Sequence, residues 1–196
     1  MTVLQSIPER NVHLFGLPES PDEPEFVDQF NADTRVVFAD LNFLADDTNP
    51  DGTTQDIFLA RSAQQYQEDA TPELIGARGG QVVARGQGVV VAVIDTGVDA
   101  QHPLLAGRIA PGGYNFIDEN TNTADQGPGT FAGHGTLVAG VIVRIAPEVR
   151  VLPIRALDAT GQSTTFRLAR GIYHAIDQGA SIINISMGTT GDPSLL

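Results

Sequence analysis

Residues 89–94 (VVVAVI) form an unbroken apolar, mostly β-branched run that stops at Asp95-Thr96-Gly97. A strand with no polar alternation along it has both faces buried, the situation of a parallel strand with helices packed on either side. The chain downstream agrees. Residues 137–145 (LVAGVIVRI) are apolar nearly all round and follow Gly133-His134-Gly135-Thr136, so a buried helix is expected to start near His134, with Ala139 and Gly140 allowing close packing. Residues 149–157 (VRVLPIRAL) read as a strand in which Pro153, having no N–H, favours an edge or a strand end. Thr164 or Thr165 can cap a helix running to about Gln178, with Phe166, Ala169, Ile172, Tyr173 and Ile176 on one face and Gly179 as its stop. Residues 181–186 (SIINIS) give a further strand, and 108–117 (RIAPGGYNFI) another. Strands alternating with helices predict an α/β fold built on a doubly wound parallel sheet.

The first 80 residues differ in kind: they hold 15 Asp/Glu against 4 Arg, whereas residues 81–196 hold 9 against 7, within a net charge of −13. Residues 1–48 are expected to form a small acidic αβ piece, apolar at 12–17, with a short helix at 25–30 and a strand at 34–44 (TRVVFADLNFL). That is too little chain for an independent core. Residues 49–80 have the Asp, Asn, Pro and Gly composition of a linker, broken by one helix-like stretch at 56–66. An acidic chain repels nucleic acid, because phosphate neutralisation needs clustered Lys and Arg. No apolar run approaches the roughly 20 residues of a membrane-spanning helix, so no membrane partner is expected. The absence of Cys removes disulfides and thiolate chemistry and leaves the compartment open. The opening MTVLQSIPER lacks the basic, apolar and small-residue regions of a secretory signal, so either the protein stays inside or its true start lies upstream.

In doubly wound sheets, functional groups gather at the carboxyl ends of strands and at the N-termini of the helices that follow. Asp95 and His134 occupy those two kinds of position. A carboxylate bonded to one ring nitrogen of an imidazole fixes its tautomer, so that the other nitrogen can take a proton from a nucleophile. A helix N-terminus beside the ring disfavours imidazolium and keeps the base neutral. Taken singly, an Asp after a strand is commonly a turn or cap residue, and a His before a helix commonly caps it. The flanking residues decide.

Those flanks resemble the subtilisin family, the subtilases. Residues 88–103 (GVVVAVIDTGVDAQHP) look like the segment holding the family's catalytic Asp, which falls on Asp95. Residues 133–142 (GHGTLVAGVI) look like the segment holding its catalytic His, which falls on His134. APEVRVLPIRALDATG and GASIINISMG are similar to the family's next strand–helix–strand unit, so residues 81–196 read as the N-terminal portion of a catalytic domain. The resemblance implies a cleft with Ser186, Met187 and Gly188 as one wall and the stretch around Gly161 and Ser163 as the other, binding a peptide or protein substrate as an added strand. Ser163 stands where relatives often have Gly, which implies a narrower cleft there. Residues 1–48 resemble, more faintly, the last half of the inhibitory propeptide that precedes such enzymes. No cofactor is implied. The calcium loop many relatives carry after the His helix is absent, since only Ala146-Pro147-Glu148 separates that helix from the next strand. Asp118, Glu119, Asn120, Asn122 and Asp125 have calcium-ligand chemistry, although a solvated polar loop is the commoner meaning of such a cluster, and no metal site is assigned.

The family's nucleophilic Ser, in a Gly-Thr-Ser motif, and its oxyanion-hole Asn both lie downstream of the last matched block. None of Ser163, Ser181, Ser186 and Ser194 sits in such a motif, so no nucleophile is assigned and the chain alone is expected to be inactive. The strand at 181–186 would be interior in the complete sheet; as an edge it invites aggregation or pairing with another chain, such as one supplying the C-terminal half. Two rival readings are a non-catalytic module that holds peptide in the same cleft and an aspartic peptidase, whose signature Asp95-Thr96-Gly97 also matches. The aspartic reading leaves His102-Pro103 and the whole His134 segment unexplained.

Overall fold

A computed structural model describes residues 2–17, 23–46 and 71–189. Its centre is a four-stranded parallel sheet of β4 (Val90–Asp95), β5 (Tyr114–Asn115), β6 (Arg150–Arg155) and β8 (Ile182–Ile185), in the order β5-β6-β4-β8. In chain order β4 is followed by β5, helix α4 (His134–Ile145) connects β5 to β6, and α5 (Thr165–Asp177) connects β6 to β8. Both connections step in the same direction across the sheet, from β5 to β6 and from β6 past β4 to β8, yet the two helices pack on opposite faces, so the two crossovers are of opposite hand and one departs from the right-handed rule. Burial follows that arrangement residue by residue. Val91, Val93 and Val151 pack with Ala139 and Val143 of α4, while Ala92, Ile94, Leu152 and Ile154 pack with Leu168 and Ala175 of α5. Each Val, Leu and Ile side chain among these contributes about 1.5–3 kcal/mol, which favours the middle of the sheet for the apolar run at 89–94.

Pro153 lies within β6, an interior strand, rather than at an edge. The backbone explains how it is accommodated. The amide of Arg150 bonds toward β4, at the Val89 carbonyl, whereas Val151 exchanges bonds with Arg108 and Ala110 on the other side. By alternation, position 153 also faces that other side, between the isolated bridge Ile109–Val151 and the short β5. Gly113 lies there, so close that a Cβ on it would meet the Pro153 carbonyl at 2.8 Å. No ladder bond is required at that point. The strand expected over 108–117 is accordingly only the two residues of β5 plus the bridge at Ile109.

The N-terminal piece begins with a hairpin of β1 (Thr2–Ile7) and β2 (Val12–Gly16), joined by a 3-10 turn at Pro8–Arg10, followed by α1 (Glu23–Asn31). The strand expected at 34–44 is largely irregular; only β3 (Leu44–Asp46) at its end is extended and paired. The reason is visible at Asn31, whose side chain bonds both the N–H and the carbonyl of Ala39 and folds this stretch back on α1. Two short helices, α2 (Thr71–Leu74) and α3 (Ala77–Gln81), lie in what composition marks as linker, and Gln81 anchors the second by donating to the carbonyls of Arg144 and Ile145. The helix expected at 56–66 lies outside the described residues.

β3 forms the central strand of a second, three-stranded antiparallel sheet, between β7 (Ser163–Thr164) and β9 (Gly188–Thr189). At the opposite margin of the main sheet, β8 leaves Ile182 54% exposed and Ile185 36% exposed. No helix among the described residues is long and apolar enough to cross a membrane.

Candidate active site

Asp95 is the last residue of β4, an interior strand between β6 and β8, and it lies at the carboxyl end of the strands, where sheets of this kind place their functional groups. It is fully buried. A buried carboxylate needs compensation, and it receives it from the backbone N–H of Thr96 at 2.7 Å and from His134. His134 Nδ1 lies 2.9 Å from one carboxylate oxygen and 3.1 Å from the other. An ionised carboxylate only accepts, so Nδ1 carries the proton, and in the neutral ring Nε2 is then the basic nitrogen. The ring is 13% exposed, and Phe131 meets it edge-on at 5.9 Å between centroids.

The approach of strand end to helix start depends on missing side chains. Gly97 has φ +117°, and a Cβ there would lie 2.7 Å from the Thr123 carbonyl and 2.9 Å from that of Ala124. Gly133, at φ +97°, turns the chain into α4. Gly135 packs directly on the end of β4: its added Cβ would meet the Gly97 carbonyl at 2.1 Å and the Asp95 Cβ at 3.0 Å.

Of the residues expected to wall a cleft, Ser163 lies in β7 and Gly188 in β9, which flank the same strand, while Gly161 precedes β7 and Ser186 and Met187 lie between β8 and β9. That strand is the chain's own β3, with Ala45 opposite both Ser163 and Thr189, Leu44 opposite Thr164 and Asp46 opposite Gly188. The Ser163 hydroxyl is turned onto the Ala156 carbonyl at 2.7 Å, and Ser186 Oγ accepts from Asn184 Nδ2 at 2.9 Å. Met187 packs against the core on the α5 side. Phe131 links base and wall, since it touches the His134 ring and a Cβ on Gly161 would meet its ring at 3.0 Å. The wall is shaped by Asp158, whose Oδ1 accepts from the N–H and hydroxyl of Thr160 and the N–H of Gln162. Burial opposes ionisation of Asp158, but these bonds outweigh it and hold its carboxyl below the usual aspartate range.

The polar loop has commitments within the protein. Asp118 accepts from Asn115, Asn120 Oδ1 accepts from the Asn122 N–H, and Glu119 forms a bidentate pair with Arg170 of α5 at 2.6 and 2.9 Å. Arg170 accordingly holds the Glu119 carboxyl below its ordinary range. Asp125 is occupied by four donors from either side of the site. Among the described residues, no group of three or more His, Asp or Glu side chains is arranged to hold a metal ion. Asp125 and Phe131 are the two site residues the sequence reading passed over in these roles. The signal for Asp125 is that α4 starts on a glycine and needs a capping carboxylate from elsewhere.

The Subtilase family model matches residues 86–195, more than half of the chain. Thermitase of Thermoactinomyces vulgaris is 37% identical over 139 residues, covering 66% of this chain and 46% of thermitase. An intracellular serine protease of Paenibacillus polymyxa is 42% identical over 117 residues, 55% of this chain and 35% of that protein. The crystal structure of a lanthipeptide protease superposes with a TM-score of 0.50 at 34% identity, over 62% of this chain and 35% of the other. The chain thus spans less than half the length of these relatives. With a matched stretch that contains both Asp95 and His134 on the strand end and helix start described above, the chain belongs to the subtilase family of serine peptidases.

Proposed function

We propose that this chain carries the acid–base half of a serine endopeptidase: Asp95 orients His134, and His134 Nε2 serves as general base toward a serine supplied from outside the matched stretch. The contact between His134 Nδ1 and the buried Asp95 carboxylate at 2.9 Å carries the reading. Deprotonating a serine hydroxyl leaves an imidazolium, and Asp95, held against Nδ1, offsets that charge in a site with little water. The same ring then returns the proton to the departing amine. Substrate pairs as a strand between β7 and β9, with its main chain making the bonds.

In the same reading residues 1–46 act as a tethered inhibitor, since β3 takes the position assigned to substrate. Five further contacts support this. Asn42 Oδ1 accepts from the Phe166 N–H at 2.9 Å and the Thr165 hydroxyl at 3.2 Å, and the Thr165 N–H bonds the Phe43 carbonyl. At the far end of α5, Arg10 pairs with Asp177 at 2.6 Å and its guanidinium lies 5.1 Å from the Tyr173 ring centroid. The segment therefore grips α5 at both ends and the cleft between. The apolar edge of β8 is the surface on which a segment bearing the nucleophile, in the same polypeptide or a second one, would continue the sheet.

The test is reconstitution. Co-expression with a subtilase segment containing the Gly-Thr-Ser motif is expected to produce hydrolysis of a fluorogenic peptide, abolished by His134→Ala. The chain alone should be about a million-fold less active, the cost of a missing nucleophile in such a triad. Hydrolysis by the purified chain that survives His134→Ala would overturn the assignment. A peptide-holding role without chemistry is favoured instead if the reconstituted protein binds peptide competitively with β3 yet never cleaves it.

A further inference from the structure

The catalytic reading leaves Asp125 without a task, and the inference that follows rests on that reading. Asp95 and His134 are 39 positions apart in sequence, on a strand end and a helix start, and their side chains meet only if those two backbones are fixed relative to each other. The helix cannot do this through its own cap. Its N-cap residue is Gly133, which has no side-chain cap bond.

The carboxylate of Asp125 supplies what is missing. Oδ1 accepts from the Gly133 N–H at 2.8 Å and from the Thr96 hydroxyl at 3.0 Å. Oδ2 accepts from the Thr136 N–H at 3.0 Å and the Thr136 hydroxyl at 2.7 Å. Thr96 Oγ1 in turn accepts from the Gly135 N–H at 3.1 Å, and Thr136 Oγ1 accepts from the Asp99 N–H at 2.9 Å. Both threonines of the two matched motifs thus converge on one carboxylate, one from the β4 side and one from α4. The carboxylate itself is held in place because the neighbouring carbonyls of Thr123 and Ala124 accept from the Val98 N–H and Arg155 Nη1. Four donors fill the acceptor capacity of a carboxylate, so a cation at Asp125 would have to displace protein hydrogen bonds. A negative charge at this helix end is favourable in its own right.

We propose that Asp125 is the positioning residue of the site, clamping the end of β4 to the start of α4 so that Nδ1 of His134 faces Asp95. It touches neither the reacting proton nor the ring. Its contribution is to the population of the single correct tautomer and orientation.

The experiment is nitrogen-15 NMR of the full chain with ring-labelled histidine, the His134 signals being assigned by their loss in His134→Ala. In the parent chain the neutral ring is expected to be wholly the Nδ1–H tautomer, with a slowly exchanging proton. Asp125→Asn removes the acceptor on one side, and the Nδ1 proton is expected to exchange about tenfold faster or more, with the second tautomer appearing. Backbone amides of β4 and β6 should keep their protection, which a merely structural role would not leave intact. Thr136→Ser should retain the parent spectrum and Thr136→Val should shift it partway. If Asp125→Asn does not fold, Thr96→Val and Thr136→Val carry the test in its place. An unchanged tautomer and exchange rate in folded Asp125→Asn, or in both valine variants, overturns the proposal. Failure of the catalytic reading is distinct from this, since it shows as absent peptide cleavage on reconstitution with the NMR response intact.

Discussion

Replacing Gly135 by Ala is the sharpest available test of how closely strand end and helix start must approach. The new Cβ would sit 2.1 Å from the Gly97 carbonyl oxygen, 3.0 Å from the Asp95 Cβ and 3.1 Å from its Oδ1. A carbon–oxygen contact relaxes at roughly 3.3 Å or more, so the two backbones must separate by about 1 Å. The Gly135 N–H to Thr96 Oγ1 bond, already 3.1 Å, then lies beyond useful length. Overpacking costs about 1–3 kcal/mol and the lost bond about 1 kcal/mol. Alanine returns up to about 1 kcal/mol of helix propensity. The net expectation is destabilisation of about 1–3 kcal/mol. Gly171→Ala is the matched control, another helical glycine against the sheet. Its Cβ would meet only the methyl groups of Ile94 and Ile154, at 3.3 to 3.5 Å. There the propensity gain offsets a small repacking cost, leaving stability within about 1 kcal/mol of the parent. Urea unfolding of the three chains, compared at a common m-value, decides the matter. If Gly135→Ala proves as stable as Gly171→Ala, the close approach of Gly135 to Gly97 is not what sets the site's geometry.

Asn42→Ala removes an acceptor from the N-terminus of α5 while Thr164 still caps Arg167. It is expected to cost about 1 kcal/mol, to be read as several-fold faster amide exchange at β3 with β4 and β6 unaffected. Glu119→Gln probes the bridge to Arg170. Because the folded carboxyl titrates below its ordinary value, its contribution is complete above the ordinary glutamate range and is lost as pH falls through the folded one. The Gln variant should therefore show a flatter fall in stability on acidification. Glu119 is 46% exposed, so the loss near neutral pH should stay under about 1 kcal/mol; identical acid limbs for the two chains would refute the linkage.

The parts of this fold that sequence discloses are those where a residue type leaves one option. The run at 89–94 has no polar position to offer solvent, so it lies in the middle of a covered sheet, and of the two candidate caps for α5 it is Thr164 that caps through its hydroxyl. The Asp95–His134 pair was legible because two motifs carry it. What escaped depends on partners distant in the chain. Pro153 is interior because the neighbouring ladder has a gap opposite it, a fact about Gly113 and the bridge at Ile109. The stretch after α1 loses its strand character to Asn31, eight residues before Ala39. Asp125 reads locally as one more acid in a polar loop; its role is set by Thr96 and Thr136, on opposite sides of it in sequence.

The pairing around β3, unlike the Asp95–His134 half of the site, is specified by backbone rather than by special side chains. The groove recognises β3 through main-chain ladders on two sides, and any extended peptide presents the same groups. Such a groove discriminates poorly by itself, so an occupant tied to the same chain holds it through effective concentration and through anchors outside the groove. Asn42 at one end of α5 and Arg10 at the other are those anchors. Release of β3 then requires loss of the tether or of both anchors, whereas a free peptide leaves as soon as its ladder opens. In the proposed inhibitor reading, that difference lets one groove serve a resident strand and a transient one.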